Sequence, residues 1–229
     1  RIESRGLGDV YKRQFIDTAN LNEIKEAQSL GILDGVTTNP SLMAKEGISG
    51  KKNIFNHYKS ICDIVDGDVS AEVISTNFNG MIEEAEQLCK IDDKIVIKIP
   101  MILEGIKAIK YLTKKKIKTN CTLIFSCGQA LLAAKAGATY VSPFIGRLDD
   151  VSTSGLKLIE EIRGVFDNYS FQTQILAASV RHTMHIIECA KMGAEVMTAP
   201  LSAIKNLANH PLTDLGLAKF LDDHKKSNQ

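Results

Sequence analysis

The chain has 229 residues, 44% of them hydrophobic, which is enough for one full-sized core but short of two comfortable domains. Twenty-eight Lys and Arg against 27 Asp and Glu leave a formal net charge of +1, excluding the basic excess of a nucleic-acid binder or a polybasic membrane anchor. No run approaches the roughly 18 consecutive apolar residues of a membrane span, and the opening stretch Arg1 to Gln14 lacks the apolar segment of a signal peptide. The cysteines, Cys62, Cys89, Cys121, Cys127 and Cys189, are dispersed without a C-x-x-C pair, as suits a reducing compartment, so a soluble cytoplasmic protein is expected.

Strand-like runs appear in order at Phe15 to Asp17, Ile32 to Thr37, Val69 to Ile74, Ile95 to Ile99, Thr119 to Phe125, Thr139 to Ser142, Gln174 to Ala178 and Glu195 to Thr198. Segments with apolar residues at helical spacing separate them, such as Met81, Ala85 and Leu88, or Ile106, Ile109 and Leu112. Gly31, Gly137 and Gly193 stand where left-handed helix stops belong. Alternation of this kind argues for a parallel sheet with crossover helices. Eight such units suit a single-domain (β/α)8 TIM barrel, although counting repeats does not exclude an open doubly wound sheet. The first strand is not followed by G-x-G-x-x-G, which counts against a dinucleotide site. Asp17, Asn39, Glu72, Lys98, Thr122, Ser142 and Ser179 fall mostly towards the C-terminal ends of these runs, where barrel enzymes build their active sites.

Lys98 is the most informative of them. Alternation puts Ile95, Ile97 and Ile99 on one face of their strand and Val96 and Lys98 on the other. If the isoleucines meet the helices, the lysine points into the barrel, where burial favours the neutral amine that attacks carbonyls and forms Schiff bases. The competing reading is a protective charge on an exposed edge strand. Asp17 and Glu72 on other strands favour the catalytic reading, because Schiff-base chemistry needs carboxylates to move protons. Asp17 also suits a plain role in starting the first helix. Arg147 and Arg181, after the sixth and seventh runs, match the phosphate site that late barrel loops commonly hold; an ion pair with Asp149 or Asp150 is the alternative for Arg147. His182 and His185 lack nearby cysteines or acids in sequence to complete a metal set, and an ordinary helix surface is expected for them.

The motifs Phe15-Ile-Asp-Thr-Ala-Asn, Gly35-Val-Thr-Thr-Asn-Pro-Ser41, Val96-Ile-Lys-Ile-Pro100, Gln129-Ala-Leu-Leu-Ala-Ala and Val141-Ser-Pro-Phe-Ile-Gly-Arg-Leu-Asp-Asp150 together resemble the small transaldolase family. The resemblance runs from Phe15 to about Phe220. It implies a class I enzyme of the pentose phosphate pathway that moves a dihydroxyacetone unit from a ketose phosphate to an aldose phosphate, without metal or organic cofactor. It further implies that Lys98 is the Schiff-base lysine and Asp17 the acid/base at the C4 hydroxyl, and that Glu72 and Thr122 hold a proton-shuttling water. By the same resemblance Asn39 and Ser142 bind the dihydroxyacetone hydroxyls, Thr37 and Asn120 line the site, and Arg147, Ser179 and Arg181 grip the phosphate. A related fructose-6-phosphate aldolase resembles a variant with Gln at position 72 and Tyr at position 144, so Glu72 and Phe144 point to the transaldolase. A non-catalytic sugar-phosphate-binding barrel is the reading from another class.

The barrel domain is expected over residues 15–222, including a C-terminal helix, with 223–229 a polar tail. Residues 1–14 resemble sequence introduced by cloning and are set apart from the fold. Small transaldolases resemble ring-forming homo-oligomers, often decamers of two pentamers. Leu215, Leu217 and Phe220 suit either a neighbouring copy or the chain's own barrel.

Overall fold

The computed structural model describes residues 12–227. Eight parallel strands close into a barrel in sequence order: β1 (Arg13–Asp17), β2 (Gly35–Thr37), β3 (Asp68–Glu72), β4 (Ile95–Pro100), β5 (Thr119–Ile124), β6 (Tyr140–Pro143), β7 (Gln174–Ala177) and β8 (Val196–Ala199). β8 pairs back onto β1 through Arg13↔Val196 to Ile16↔Ala199, and closure removes the open-sheet alternative. The helices are α1 (Leu21–Ser29), α2 (Pro40–Lys45), α3 (Lys51–Ile64), α4 (Phe78–Leu88), α5 (Leu103–Lys114), α6 (Cys127–Ala136), α7 (Ile145–Asp149), α8 (Gly155–Asn168), α9 (Thr183–Lys191), α10 (Leu201–Lys205) and α11 (Pro211–Ser227).

Each strand overlaps its expected run, and the differences lie at the ends. β1 opens at Arg13 rather than Phe15, so two residues of the stretch set apart in sequence form part of the sheet; residues 1–11 lie outside the described residues. β2 is only Gly35–Thr37, and β3 stops at Glu72, leaving Ile32 and Ile74 exposed. α11 continues through the expected polar tail to Ser227.

Strand alternation sorts two cores, as the Lys98 pattern requires. Ile95, Ile97 and Ile99 join the large apolar layer between sheet and helices. Val96 instead joins Phe15, Tyr140, Leu176 and Val196 in a separate cluster that fills the barrel interior. Two residues further along their strands, Asp17, Lys98, Ser142 and Thr198 face the same interior one level higher. A buried apolar layer thus forms the floor beneath the polar C-terminal end.

The helices start and stop for local reasons. Asn20, not Asp17, caps α1, its side chain accepting from the backbone N–H groups of Asn22 and Glu23. That leaves the Asp17 carboxyl for the barrel interior. Gly137 ends α6 at φ +97°, a conformation costly for any residue with a Cβ, and Gly31 and Gly193 have positive φ as expected. Among the described residues no helix is long and apolar enough to cross a membrane.

Candidate active site

Lys98 sits in the middle of β4 with only 5% of its surface exposed. Its register partner on β3 is Glu72, so both side chains emerge on the same face, and Lys98 Nζ lies 3.1 Å from Glu72 Oε2. The ammonium also donates to the carbonyl oxygen of Thr38 at 3.0 Å. A buried cation held by one carboxylate and one carbonyl is not the exposed gatekeeper of an edge strand; a closed barrel has no such edge.

Asp17 ends β1 and faces its register partner Thr37, whose hydroxyl donates to Asp17 Oδ1 at 2.7 Å. Burial raises the Asp17 carboxyl above its ordinary value, opposed by the positive charge of Lys98 and the hydrogen bond from Thr37. The Thr37 hydroxyl also lies 2.6 Å from that of Thr198 on β8. On the opposite wall the Ser142 hydroxyl donates to Asn120 Oδ1 at 2.8 Å, and Asn120 in turn donates to Ser70 at 3.3 Å. Thr122 Oγ1 is buried and has no hydrogen-bond partner among the described residues. One residue later Leu123 takes φ +61° and the β5–β6 register shifts, a bulge that bends the end of β5.

A cavity of about 100 Å³ opens over these groups, lined by Asp17, Asn39, Lys98, Ser142, Phe144 and Arg147 among others. Thr37 and Ser179 also border it. Asn39 caps α2 as well, its side chain accepting from the Leu42 N–H at 2.9 Å, with Pro40 as the first helical residue. The Phe144 ring packs edge-on against Phe125 at 5.7 Å, and the Arg147 guanidinium carbon lies 4.8 Å from its centroid. The two acids beside Arg147 are engaged elsewhere, Asp150 by Arg181 and Asp149 by His185.

Of the residues expected from sequence, Glu72 and Asn120 reach the cavity through Lys98 and Ser142, whereas Thr122 and Arg181 do not line it. Arg181 stands at the rim, half exposed, with Asp150. His185 departs from its expected surface position: it is 3% exposed and pairs with Asp149, an acid distant in sequence. Among the described residues no group of three or more His, Cys, Asp and Glu is arranged to hold a metal ion. Sequence reasoning missed Thr198, which carries the same signal as the others, a polar residue near a strand's C-terminal end. It also missed the Thr38 carbonyl, a backbone group for which no sequence signal exists.

A closed parallel barrel with a buried lysine and two carboxylates at its C-terminal end defines a class: barrel proteins equipped for amine chemistry on a carbonyl. The particular family follows from comparison. The family model for transaldolase/fructose-6-phosphate aldolase matches residues 14–229, and the chain belongs to that family. It is 73% identical over 214 residues to a protein named "Probable transaldolase" from Cytophaga hutchinsonii, covering 93% of this chain and 98% of that protein. Proteins of the same name from Flavobacterium psychrophilum and Phocaeicola vulgatus are 67% and 64% identical, covering 94% and 93% of this chain and 99% and 98% of theirs. The solved structure of thiamine phosphate pyrophosphorylase from Pyrococcus furiosus matches with a TM-score of 0.57 and 14% identity, over 82% of this chain and 85% of that one, a likeness of fold alone.

Proposed function

We propose that the chain is a transaldolase that carries a dihydroxyacetone unit from a ketose phosphate, sedoheptulose 7-phosphate or fructose 6-phosphate, to an aldose phosphate through a Schiff base on Lys98. The observation that carries this reading is the buried Lys98 amine 3.1 Å from Glu72, in the same barrel end as Asp17. Glu72 takes the ammonium proton, freeing the nitrogen lone pair for the ketose carbonyl; its 3.1 Å distance from Lys98 supports that role. The carbinolamine then loses water to give the iminium. Glu72 and the Thr122 hydroxyl, which is buried and without a hydrogen-bond partner among the described residues, are the groups that hold the water relaying those protons. Asp17 takes the proton of the C4 hydroxyl as the C3–C4 bond breaks, and the bonding pair passes into the enamine. Burial that raises its carboxyl strengthens Asp17 as a base in this step. An aldose phosphate enters, the enamine adds to its aldehyde, Asp17 returns the proton, and water releases the product ketose from Lys98.

Asn39, Ser142, Thr37 and Asn120 orient the three-carbon unit, while Arg147, Ser179 and Arg181 receive the phosphate. Phe144, packed on Phe125, offers no hydroxyl to protonate the enamine, which favours transfer over release of free dihydroxyacetone. Glu72 and Phe144 thus favour transaldolase over the aldolase of the same family. The sequence's dispersed cysteines, all free thiols, support a place in the reducing cytoplasm and its pentose phosphate pathway.

We also infer a homo-oligomer, a decamer of two pentamer rings by the family resemblance. α11 buries no residue, and Leu212, Leu215, Leu217, Phe220 and Leu221 on it are all more than half exposed. Leu215, Leu217 and Phe220 therefore do not cover their own barrel. Light scattering should give a mass well above 25.1 kDa; a monomer at assay concentration contradicts the assembly.

The activity test is transfer with and without acceptor. Fructose 6-phosphate plus erythrose 4-phosphate should yield sedoheptulose 7-phosphate. Glyceraldehyde 3-phosphate appearing at the same rate without acceptor would instead make the chain an aldolase, and no turnover in either assay would leave only a binding barrel.

A further inference from the structure

The two arginines at the cavity rim belong to different segments, Arg147 to α7 and Arg181 to the turn after β7. One buried side chain joins both. His185 Nδ1 accepts the backbone N–H of Arg181 at 3.2 Å, and its Nε2 lies 2.8 Å from Asp149 Oδ2, two residues beyond Arg147. These partners fix the tautomer: Nδ1 must carry no proton to accept from Arg181, so the proton sits on Nε2 and is donated to Asp149. The other Asp149 oxygen accepts the Gly155 N–H at 2.9 Å and anchors the end of α7 to the start of α8.

The same two segments also meet at Gly146, whose N–H donates to the Ser179 carbonyl at 3.0 Å. A Cβ at Gly146 would lie 2.1 Å from that carbonyl oxygen and 2.7 Å from Arg181 Cγ and Nε, so the arginine stem crosses the space a side chain would fill. Ser179 itself is held at φ +59°, a conformation a residue with a side chain keeps only when its surroundings enforce it. The hydrogen bond that His185 accepts from the Arg181 N–H grips the chain two residues later.

We propose that His185 is a positioning residue for phosphate recognition: as a neutral imidazole it sets the spacing between the Arg147 and Arg181 segments and holds the turn that carries Ser179 and Arg181. The inference rests on the reading of Arg147, Ser179 and Arg181 as the phosphate site. Burial lowers the His185 pKa, as does the neighbouring His182 ring 3.9 Å away, while the Asp149 carboxylate opposes them. The neutral form is the one the geometry needs.

The test uses the full chain, with inorganic phosphate as a competitive inhibitor and with fructose 6-phosphate and unphosphorylated fructose as donors. His185→Phe should raise the phosphate inhibition constant and the fructose 6-phosphate KM about tenfold, the loss of one well-placed hydrogen bond. Its kcat should stay within about threefold, and kcat/KM for fructose should not change. His185→Asn, whose Oδ1 can take the place of Nδ1, should recover most of the loss. A general packing defect would lower both donors alike and would not be rescued by Asn. If His185→Phe does not fold, Asp149→Asn supplies the same reading with a rise of about threefold; unchanged phosphate inhibition in the folded variant overturns the inference. Arg147→Ala separates the two layers. If phosphate inhibits wild type and Arg147→Ala equally, or inhibits neither, the phosphate reading falls and the inference with it. If Arg147→Ala weakens inhibition and His185→Phe does not, the inference alone falls.

Discussion

The two ends of the barrel are built from the same strands and differ in how their polar groups are satisfied. At the N-terminal end Tyr140 donates to Asp68 at 2.6 Å and accepts from Arg13 at 2.9 Å; Asp68 also receives Lys118 at 2.7 Å, and Arg13 reaches Gln174. Every charge in that network meets an opposite or neutral partner, and the Tyr140 phenol is pushed up by burial and by Asp68. At the C-terminal end a lysine is buried, a carboxyl is raised, a threonine hydroxyl lacks a partner among the described residues and Ser179 is held at positive φ. One end closes the barrel, while the other holds the imbalance on which the proposed chemistry rests.

Substitutions at the two ends should therefore separate activity from stability. Lys98→Met should cut dihydroxyacetone transfer by at least about a thousandfold, read in the coupled transfer assay, because among the described residues no other amine lines the cavity. Phe144→Tyr should shift the ratio of acceptor-independent release to transfer by about tenfold towards release, because a phenol beside the enamine supplies a proton. At the closed end Tyr140→Phe should leave kcat and KM within about twofold and cost about 1–2 kcal/mol in urea unfolding, the loss of its paired hydrogen bonds.

Asp17→Asn gives the smallest effect on stability and tests the imbalance itself. A carboxyl raised in the folded state binds its proton more tightly there than in the unfolded chain. Its stabilising contribution is full below the unfolded-state value of 3.8 and is lost as pH rises through the raised folded-state value. The amide variant, which does not titrate, should melt about 2–4 °C higher than wild type at pH 8, with the gap closing towards about pH 4. A variant melting lower at pH 8 would show that the Asp17 charge is well accommodated. Activity should fall in the same protein, separating stability from function at one residue.

The barrel and most of this imbalance are legible in sequence because strand alternation has a period of two and reports which face a residue takes. Ile95, Ile97 and Ile99 against Val96 and Lys98 place the amine inside without any knowledge of tertiary contacts. Polar residues at strand ends mark the rim for the same reason, and Thr198 carries that mark without standing out from its neighbours. What stays hidden depends on contacts distant in sequence. His185 reads as helix surface because helical spacing does not reveal that Asp149, 36 residues away at the end of α7, meets that face of α9. The Asp17 side chain reads equally as a helix cap until Asn20 is seen in that place. The exposed stripe of α11 shares its composition with a buried one, and only the missing cover distinguishes them.

The central claim is that the buried Lys98 amine forms the covalent link to substrate. Incubating the full chain with fructose 6-phosphate and sodium borohydride, followed by peptide mass mapping, should reveal a reduced three-carbon or six-carbon adduct on Lys98 and the loss of transfer activity in step with it. An active protein that retains an unmodified Lys98 under those conditions, or that carries the adduct on another lysine, would contradict it.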